Sequence, residues 1–134
     1  MKPNVLITRP VSPSAIELLS SVCDTLPRVP MSSRHHGDFR LVAECADALL
    51  LGTTEHVDDA LLRAFPQLRV IACTFRLPEH IDVAACTRRG IWVTNVATRW
   101  LGKEAEIEAA RNILDVMSGD TPRGAMNEVL KSAA

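Results

Sequence analysis

Two loops of the chain carry residue types that could bind an anion. One follows an apolar run at residues 48–51 and contains Thr53, and the other follows the run at 70–73 and contains Arg76, Leu77 and Pro78. A guanidinium can hold a carboxylate or a phosphonate through two parallel hydrogen bonds, and a threonine hydroxyl can donate one more. Both loops are candidate anion sites, although a solvated arginine and a turn threonine need no ligand to explain them.

The histidines are weaker candidates for a functional site than these two loops. His80 has the side chain most used in acid–base catalysis, but nothing in the sequence places a nucleophile or an orienting carboxylate at a known distance from it. His35 and His36 are adjacent in a polar turn, and two imidazoles alone cannot complete a zinc site. We therefore predict no catalytic residue and no metal site, and interpret all three as loop histidines.

The strands and helices that hold these two loops can be predicted from the apolar runs of the sequence. Unbroken runs are typical of strands buried on both faces of a parallel sheet. Strong runs lie at 5–7, 48–51, 70–73 and 91–93, and a weaker strand is predicted at 25–29. Helices are predicted between them over 38–45, 58–64 and 83–89, and one more begins either at Ser12 with Pro13 in its first turn or at Ser14 with Glu17 in a capping box.

Capping signals support two of these helices. Asp58 and Asp82 stand where an N-cap is expected, and Gly90 can supply a left-handed exit. A longer helix is predicted over 103–118, with an apolar face made by Ile107, Ala110, Leu114 and Met117 and widened by Ile113 and Val116. We therefore predict an α/β, flavodoxin-like, doubly wound sheet of five parallel strands in the order 2-1-3-4-5, closed by a C-terminal helix.

Composition narrows the class of protein. The chain has 134 residues, of which 47% are hydrophobic, a size that fits one compact domain. A net charge of -1 gives no general attraction to nucleic acid or to an anionic membrane, so we expect neither partner. The apolar run at 5–7 is too short for a secretory signal and no run is long enough to span a membrane, so we expect a cytoplasmic protein. Four widely spaced cysteines are interpreted as reduced, buried core thiols: Cys23, Cys45, Cys73 and Cys86.

The stretch 68–95 combines a strand, a loop ending in Ile81-Asp82, a helix, and Gly90-Ile91-Trp92-Val93-Thr94-Asn95. It resembles the D-isomer-specific 2-hydroxyacid dehydrogenases, and most of all their phosphonate (phosphite) dehydrogenase branch. The stretches 57–70 and 106–127 resemble the same family. In that family an NAD-binding domain is inserted into a discontinuous substrate-binding domain. The resemblance implies one substrate-binding domain over 1–134, made of 1–96 and 104–134, with 97–103 as a join that replaces the nucleotide domain.

The resemblance also assigns the loop residues. Arg76 matches a substrate-binding lysine of phosphonate dehydrogenase, and Thr53 occupies another substrate-loop position. Leu77 and Pro78 stand where the family has a glycine-containing loop, a departure that removes backbone contacts to substrate. These four residues are the vestigial substrate site that the resemblance implies, and a small carboxylate or phosphonate is its expected ligand.

The chemistry of hydride transfer is not expected in this chain. All six glycines are isolated, so no G-x-G-x-x-G turn is present to receive a dinucleotide, and no position matches the family's catalytic Arg, Glu and His. NAD belongs to the parent family, and we expect no cofactor here. The expected function is an isolated substrate-binding domain that folds but does not catalyse oxidoreduction, produced by a deletion that we take to be engineered.

Two alternatives stay open. The first is a structural module that self-associates, either through an exposed apolar patch of Phe75, Leu77, Pro78, Trp100 and Leu101 or as a dimer that swaps its C-terminal helix. The expected oligomeric state is therefore monomer or homodimer. An FMN-binding flavodoxin is less favoured, because the loop at 8–12 lacks glycine and the chain has no tyrosine. A receiver domain is disfavoured, because neither the residues after the first strand nor those after the third are acidic.

Overall fold

Five parallel strands form one sheet in the order β2-β1-β3-β4-β5 in the computed structural model, which describes residues 2–27, 37–52, 55–77, 79–97 and 102–129. The strands are β1 (Asn4–Ile7), β2 (Asp24–Thr25), β3 (Ala48–Leu51), β4 (Val70–Cys73) and β5 (Trp92–Thr94). The register pairs Ile7 with Leu50, and Leu51 with Cys73. The predicted α/β architecture and its strand order are confirmed.

Helices cover both faces of the sheet. They are α1 (Pro13–Ser20), α2 (Gly37–Cys45), α3 (Asp59–Leu62), α4 (Val83–Arg88) and α5 (Lys103–Met117). One core cluster joins α2, α3 and α4 to side chains such as Leu49 and Ile71. The other joins α1 and α5 to side chains such as Leu50 and Ala72. Alternate side chains of one strand therefore pack against helices on opposite faces of the sheet. This explains why the strands are apolar without interruption.

Helix starts follow the predicted signals. Asp58 Oδ1 accepts a hydrogen bond from the Leu61 amide at 2.8 Å, and Asp82 Oδ1 accepts one from the Ala85 amide at 3.0 Å. Of the two starts left open for α1, the structure selects Ser12 as N-cap with a proline in the first turn. The Ser12 hydroxyl makes no capping bond, so proline rather than a side-chain cap favours this start.

Replacement of Asp58 by alanine is expected to lower the free energy of unfolding by about 1 kcal/mol, because the Leu61 amide loses its acceptor. Urea denaturation measures the change. Glu44→Ala on the exposed surface of α2 is the control and is expected to change stability by less than about 0.5 kcal/mol. Equal losses in the two variants would contradict the capping role.

The buried face of α5 agrees with the predicted one in part, since Ala110, Ile113 and Val116 are buried as expected. Ile107 is only half-buried, and Leu114 and Met117 are partly buried. The side chains that α5 buries fully are Ala105, Ala109, Ala110, Asn112, Ile113 and Val116. Because α5 packs against both α1 and β4, its buried face is wider than predicted and also includes Ala105, Ala109 and Asn112.

A C-terminal tail covers the β5 edge of the sheet. Ala125 forms an antiparallel bridge with Thr94, and the Met126 amide donates to the Val93 carbonyl at 2.8 Å. Asn127 extends the pairing through its side chain, which accepts from the Val93 amide and donates to the Ile91 carbonyl. The tail thus supplies hydrogen bonds that an edge strand would otherwise leave open to other chains.

The cysteine prediction is correct for three of four residues. Cys23, Cys73 and Cys86 are buried and free, but Cys45 is exposed at the end of α2. Its backbone carbonyl, rather than its thiol, makes the local contacts, accepting from Asn4 and Gln67. Burial raises the pKa of the Cys73 thiol and raises the pKa of Cys86 to about 11, so both thiols are protonated and unreactive at neutral pH.

Two boundaries also differ from the predictions. The weak strand expected at 25–29 is seen as Asp24–Thr25, and its predicted end lies outside the described residues. The helix expected over 58–64 ends earlier, with Arg63 as its C-cap. None of the described helices is long and apolar enough to cross a membrane.

Candidate functional site at the carboxyl ends of the strands

A cavity of about 290 Å³ opens where β1, β3 and β4 end. The strand order reverses between β1 and β3, and open α/β sheets bind ligands in the crevice at such a switch point. The cavity is lined by Arg9, Pro10, Val11, Leu50, Leu51, Gly52, Thr74, Gly102 and Glu106. Residues distant in the chain are therefore brought together by the sheet topology and by the N-terminus of α5.

Arg9 and Gly52 fit closely at this edge. A Cβ atom added to Gly52 would lie 2.1 Å from Arg9 Cδ, so the glycine leaves the space through which the arginine stem passes. The Arg9 side chain is exposed and forms no ion pair with any carboxylate in the described part of the chain. Its guanidinium is available to a ligand at the mouth of the cavity.

Carboxylates stand on the other side of the cavity and beside it. Glu106 Oε1 accepts a hydrogen bond from the Ser12 amide at 2.7 Å. Glu55 Oε1 accepts one from the Thr8 hydroxyl at 3.0 Å. Two buried atoms in this neighbourhood, Ser12 Oγ and Glu55 Oε2, have no hydrogen-bond partner among the described residues. Buried polar atoms are usually satisfied, so these two mark the neighbourhood as one that can accept further hydrogen bonds.

Arg76 and Leu77, predicted as site residues, lie in the turn that follows β4. Both are exposed, and Leu77 has 68% of its surface accessible. The turn is anchored to the exit of β5, because Asn95 Nδ2 donates to the Arg76 carbonyl at 2.9 Å and the Val96 amide donates to the Phe75 carbonyl at 3.3 Å. The Arg76 guanidinium has no hydrogen-bond or ion-pair partner among the described residues, so it too can meet a ligand.

The other two predicted site residues, Thr53 and Pro78, lie outside the described residues. So do His35, His36, Trp100 and Leu101. Phe75 does not belong to an exposed patch as predicted, because it is partly buried and packs against the core cluster that contains α3 and α4. Within the described residues, Leu77 is the part of that predicted patch that faces solvent.

His80 lies at the surface and contacts a second histidine. Its ring centroid is 4.5 Å from that of His56, next to the bridge between Val57 and Ile81. No carboxylate orients His80 in the described part of the chain. No group of three metal-binding side chains occurs there either. The pair is a contact between two surface loops. Because His56 and His80 are far apart in the chain, the sequence alone could not reveal that their rings meet.

Sequence reasoning missed Arg9 and Glu106 as site residues. Arg9 directly follows the first apolar run, and a parallel sheet brings the carboxyl ends of all its strands to one edge. That signal could have marked Arg9 together with the loops after β3 and β4. Glu106 had no such signal, because only the packing of α5 against α1 brings its carboxylate to the Ser12 amide.

The described residues do not fit the dinucleotide that the resemblance implies. Such a cofactor needs a glycine turn where its pyrophosphate meets backbone amides at a helix N-terminus. The space that Gly52 leaves open is filled by the Arg9 side chain. Gly102 precedes α5, but Glu104 and Glu106 occupy the first turn of that helix and would repel phosphate.

Comparison with known proteins agrees with this fold. Residues 5–99 match the family model described as D-isomer specific 2-hydroxyacid dehydrogenase, catalytic domain. A glyoxylate reductase of Aeropyrum pernix is 37% identical over 94 residues, which is 70% of this chain and 28% of that protein. The chain thus spans little more than a quarter of the length of this relative.

Solved structures give the same result. The PH0520 protein of Pyrococcus horikoshii OT3 superposes with a TM-score of 0.64 and 26% identity over 72% of this chain and 28% of the other. An NADPH-dependent glyoxylate/hydroxypyruvate reductase of Sinorhizobium meliloti, solved with NADP and malonate, has the same fold at 23% identity and a TM-score of 0.58, over 73% and 29% of the two chains. The chain belongs to the D-isomer-specific 2-hydroxyacid dehydrogenase family and carries the fold of its catalytic domain.

Proposed function

We propose that this chain is a substrate-binding domain that holds a small 2-oxo or 2-hydroxy acid on the turn after β4. The observation that carries the proposal is the position of Arg76: its guanidinium is exposed and unpaired among the described residues, on a turn that is tied to β5. Because that turn is anchored by two hydrogen bonds, the arginine presents its donors from a defined backbone. A carboxylate can accept two parallel bonds from it.

The substrate class that we favour is a two- or three-carbon acid such as glyoxylate. The support is the similarity to a glyoxylate reductase at 37% identity. A phosphonate or phosphite is the second candidate, since an arginine fork also matches a tetrahedral oxyanion. Leu77 beside Arg76 gives the turn an apolar side, which suits a ligand with a short carbon skeleton better than phosphite.

We further propose that residues 97–103 stand where a nucleotide domain is inserted in longer relatives, and that an engineered deletion produced this join. In support, the family match covers 5–99 and α5 begins at Lys103. Hydride transfer would then need a nucleotide domain supplied separately. The function proposed for the chain itself is binding, without oxidoreductase activity.

Replacement of Arg76 by glutamine is expected to weaken glyoxylate binding about tenfold, because a charge-assisted pair becomes a neutral contact. Isothermal titration with glyoxylate and with phosphite measures both affinities. Arg63→Gln is the matched control: Arg63 is exposed on the same side of the fold as α4, and its ion pair with Asp59 does not touch the turn.

The two ligands separate the candidates. Tighter binding of glyoxylate that is lost in Arg76→Gln and kept in Arg63→Gln supports the 2-oxo acid. Tighter binding of phosphite would instead support the phosphonate candidate. Binding of either ligand that is unchanged in Arg76→Gln would contradict the proposed site.

A further inference from the structure

The cavity beside α1 and α5 is separate from the proposed substrate turn. Neither Arg76 nor Leu77 lies in its wall, although Thr74 does. Its wall instead brings together one cationic and one anionic side chain, Arg9 and Glu106. These two do not form an ion pair with each other. The cavity therefore presents two opposite charges to whatever enters it.

The anionic side is fixed by the protein itself. Glu106 Oε1 is occupied by the Ser12 amide at 2.7 Å, which holds the carboxylate at the start of α5. Glu106 Oε2 has no hydrogen-bond partner in the described part of the chain, so this oxygen of a cavity-lining carboxylate can accept a hydrogen bond from a ligand. Ser12 holds the carboxylate through its amide and is not itself part of the cavity wall.

The cationic side chain lies over the end of β3. A Cβ atom added to Gly52 would lie 2.1 Å from Arg9 Cδ and 2.4 Å from one of its guanidinium nitrogens, so the glycine leaves room for the arginine in this position at the cavity wall. With a volume of about 290 Å³, the cavity is at the small end of the range for ligand pockets. It suits a ligand of a few non-hydrogen atoms.

We propose that this cavity binds a small zwitterion of the α-amino-acid class, with its carboxylate on Arg9 and its ammonium group on Glu106. An ammonium group has three N–H donors, and Glu106 Oε2 is a charged acceptor of a cavity-lining residue with no hydrogen-bond partner among the described residues. A 2-hydroxy acid of the same size also has a carboxylate for Arg9, but it places no positive charge beside Glu106. Charge complementarity therefore selects the amino acid over its hydroxy analogue.

Matched pairs of ligands test this selection on the full chain. Glycine is compared with glycolate, and alanine with lactate, by isothermal titration and by amide chemical shifts. We expect each amino acid to bind at least about tenfold more tightly than its hydroxy partner. Glu106→Gln keeps an oxygen for the Ser12 amide but removes the charge, so it should abolish this preference by weakening the amino acid while glycolate binds equally well or better.

Two controls accompany that variant. Glu104→Gln changes an exposed carboxylate in the same helical turn and should leave the preference intact. Arg76→Gln removes the proposed substrate arginine and should leave glycine binding unchanged, which separates this cavity from the turn after β4. The thermal midpoint of each variant confirms that it is folded.

The proposal is overturned if glycine binds no more tightly than glycolate, or if neither saturates the wild-type chain below about 10 mM. It is also overturned if Glu104→Gln removes the preference as fully as Glu106→Gln does, since the effect would then come from the general charge of the helix start.

Discussion

Replacement of Asn112 by leucine is expected to lower the free energy of unfolding by about 3 kcal/mol. Asn112 is fully buried in α5, where its Nδ2 donates to the Asn95 carbonyl at 3.0 Å and its Oδ1 accepts from the Gly124 amide at 2.9 Å. Leucine has nearly the same shape but no polar atoms, so both of these partly buried backbone groups would lose their partners. Chemical denaturation in urea measures the loss.

The neighbouring residue provides the control. Arg111 lies in the same turn of α5 but is exposed, so Arg111→Leu should change stability by less than about 0.5 kcal/mol. A loss below that value in Asn112→Leu as well would mean that the Asn95 carbonyl and the Gly124 amide find other partners, and the role given to Asn112 would be wrong.

Replacement of Gly124 by alanine is expected to detach the C-terminal tail from β5 and to cost about 1–3 kcal/mol. The added Cβ atom would lie 2.3 Å from the Asn95 carbonyl oxygen and 2.7 Å from Asn112 Nδ2. Because the first of these atoms belongs to the backbone, the tail rather than a flexible side chain must move. Limited proteolysis should then cleave the tail faster than in the parent chain.

Gly37→Ala is the matched control for that variant. A Cβ atom at Gly37 meets nothing within 4 Å, and alanine favours the helical conformation of α2, so stability should stay the same or rise slightly. If Gly124→Ala were as stable and as protease-resistant as Gly37→Ala, the tail could not be held as tightly as its contacts with Asn95 indicate.

The sheet could be predicted because its strands are buried on both faces. A run such as Ala48–Leu51 has no polar residue that could mark a solvent side, and four such runs require helices on both faces. The caps Asp58 and Asp82 were predictable because capping depends on the next three residues alone. Local chemistry therefore determined most of the fold.

The face of α5 could be predicted only in part. Helical spacing identified Ala110, Ile113 and Val116, which are buried, but it also included Ile107, which is only half-buried. It did not identify Asn112, which is buried because its amide bonds the Asn95 carbonyl and the Gly124 amide. Those two partners lie in other segments, so a pattern within the helix could not reveal them.

The candidate site was also predictable only where its residues depend on local sequence and not where they depend on contacts between distant segments. Arg76 and Leu77 could be selected because they follow an apolar run directly, and the structure places them on an exposed turn. The opposition of Arg9 and Glu106 across one cavity arises from the docking of α5 beside α1. Sequence patterns within one segment carry no information about that contact.

Binding of a 2-oxo acid on the turn after β4 can be tested by an amide chemical-shift titration of the full chain with glyoxylate, repeated in the presence of NADH. We expect glyoxylate to shift the amides of residues 74–77 and of Asn95 and Val96, which anchor that turn. We expect no saturable change with NADH. Glyoxylate shifts confined to the opposite, amino ends of the strands, or saturable binding of NADH, would show that the chain is not a substrate-binding domain of this kind.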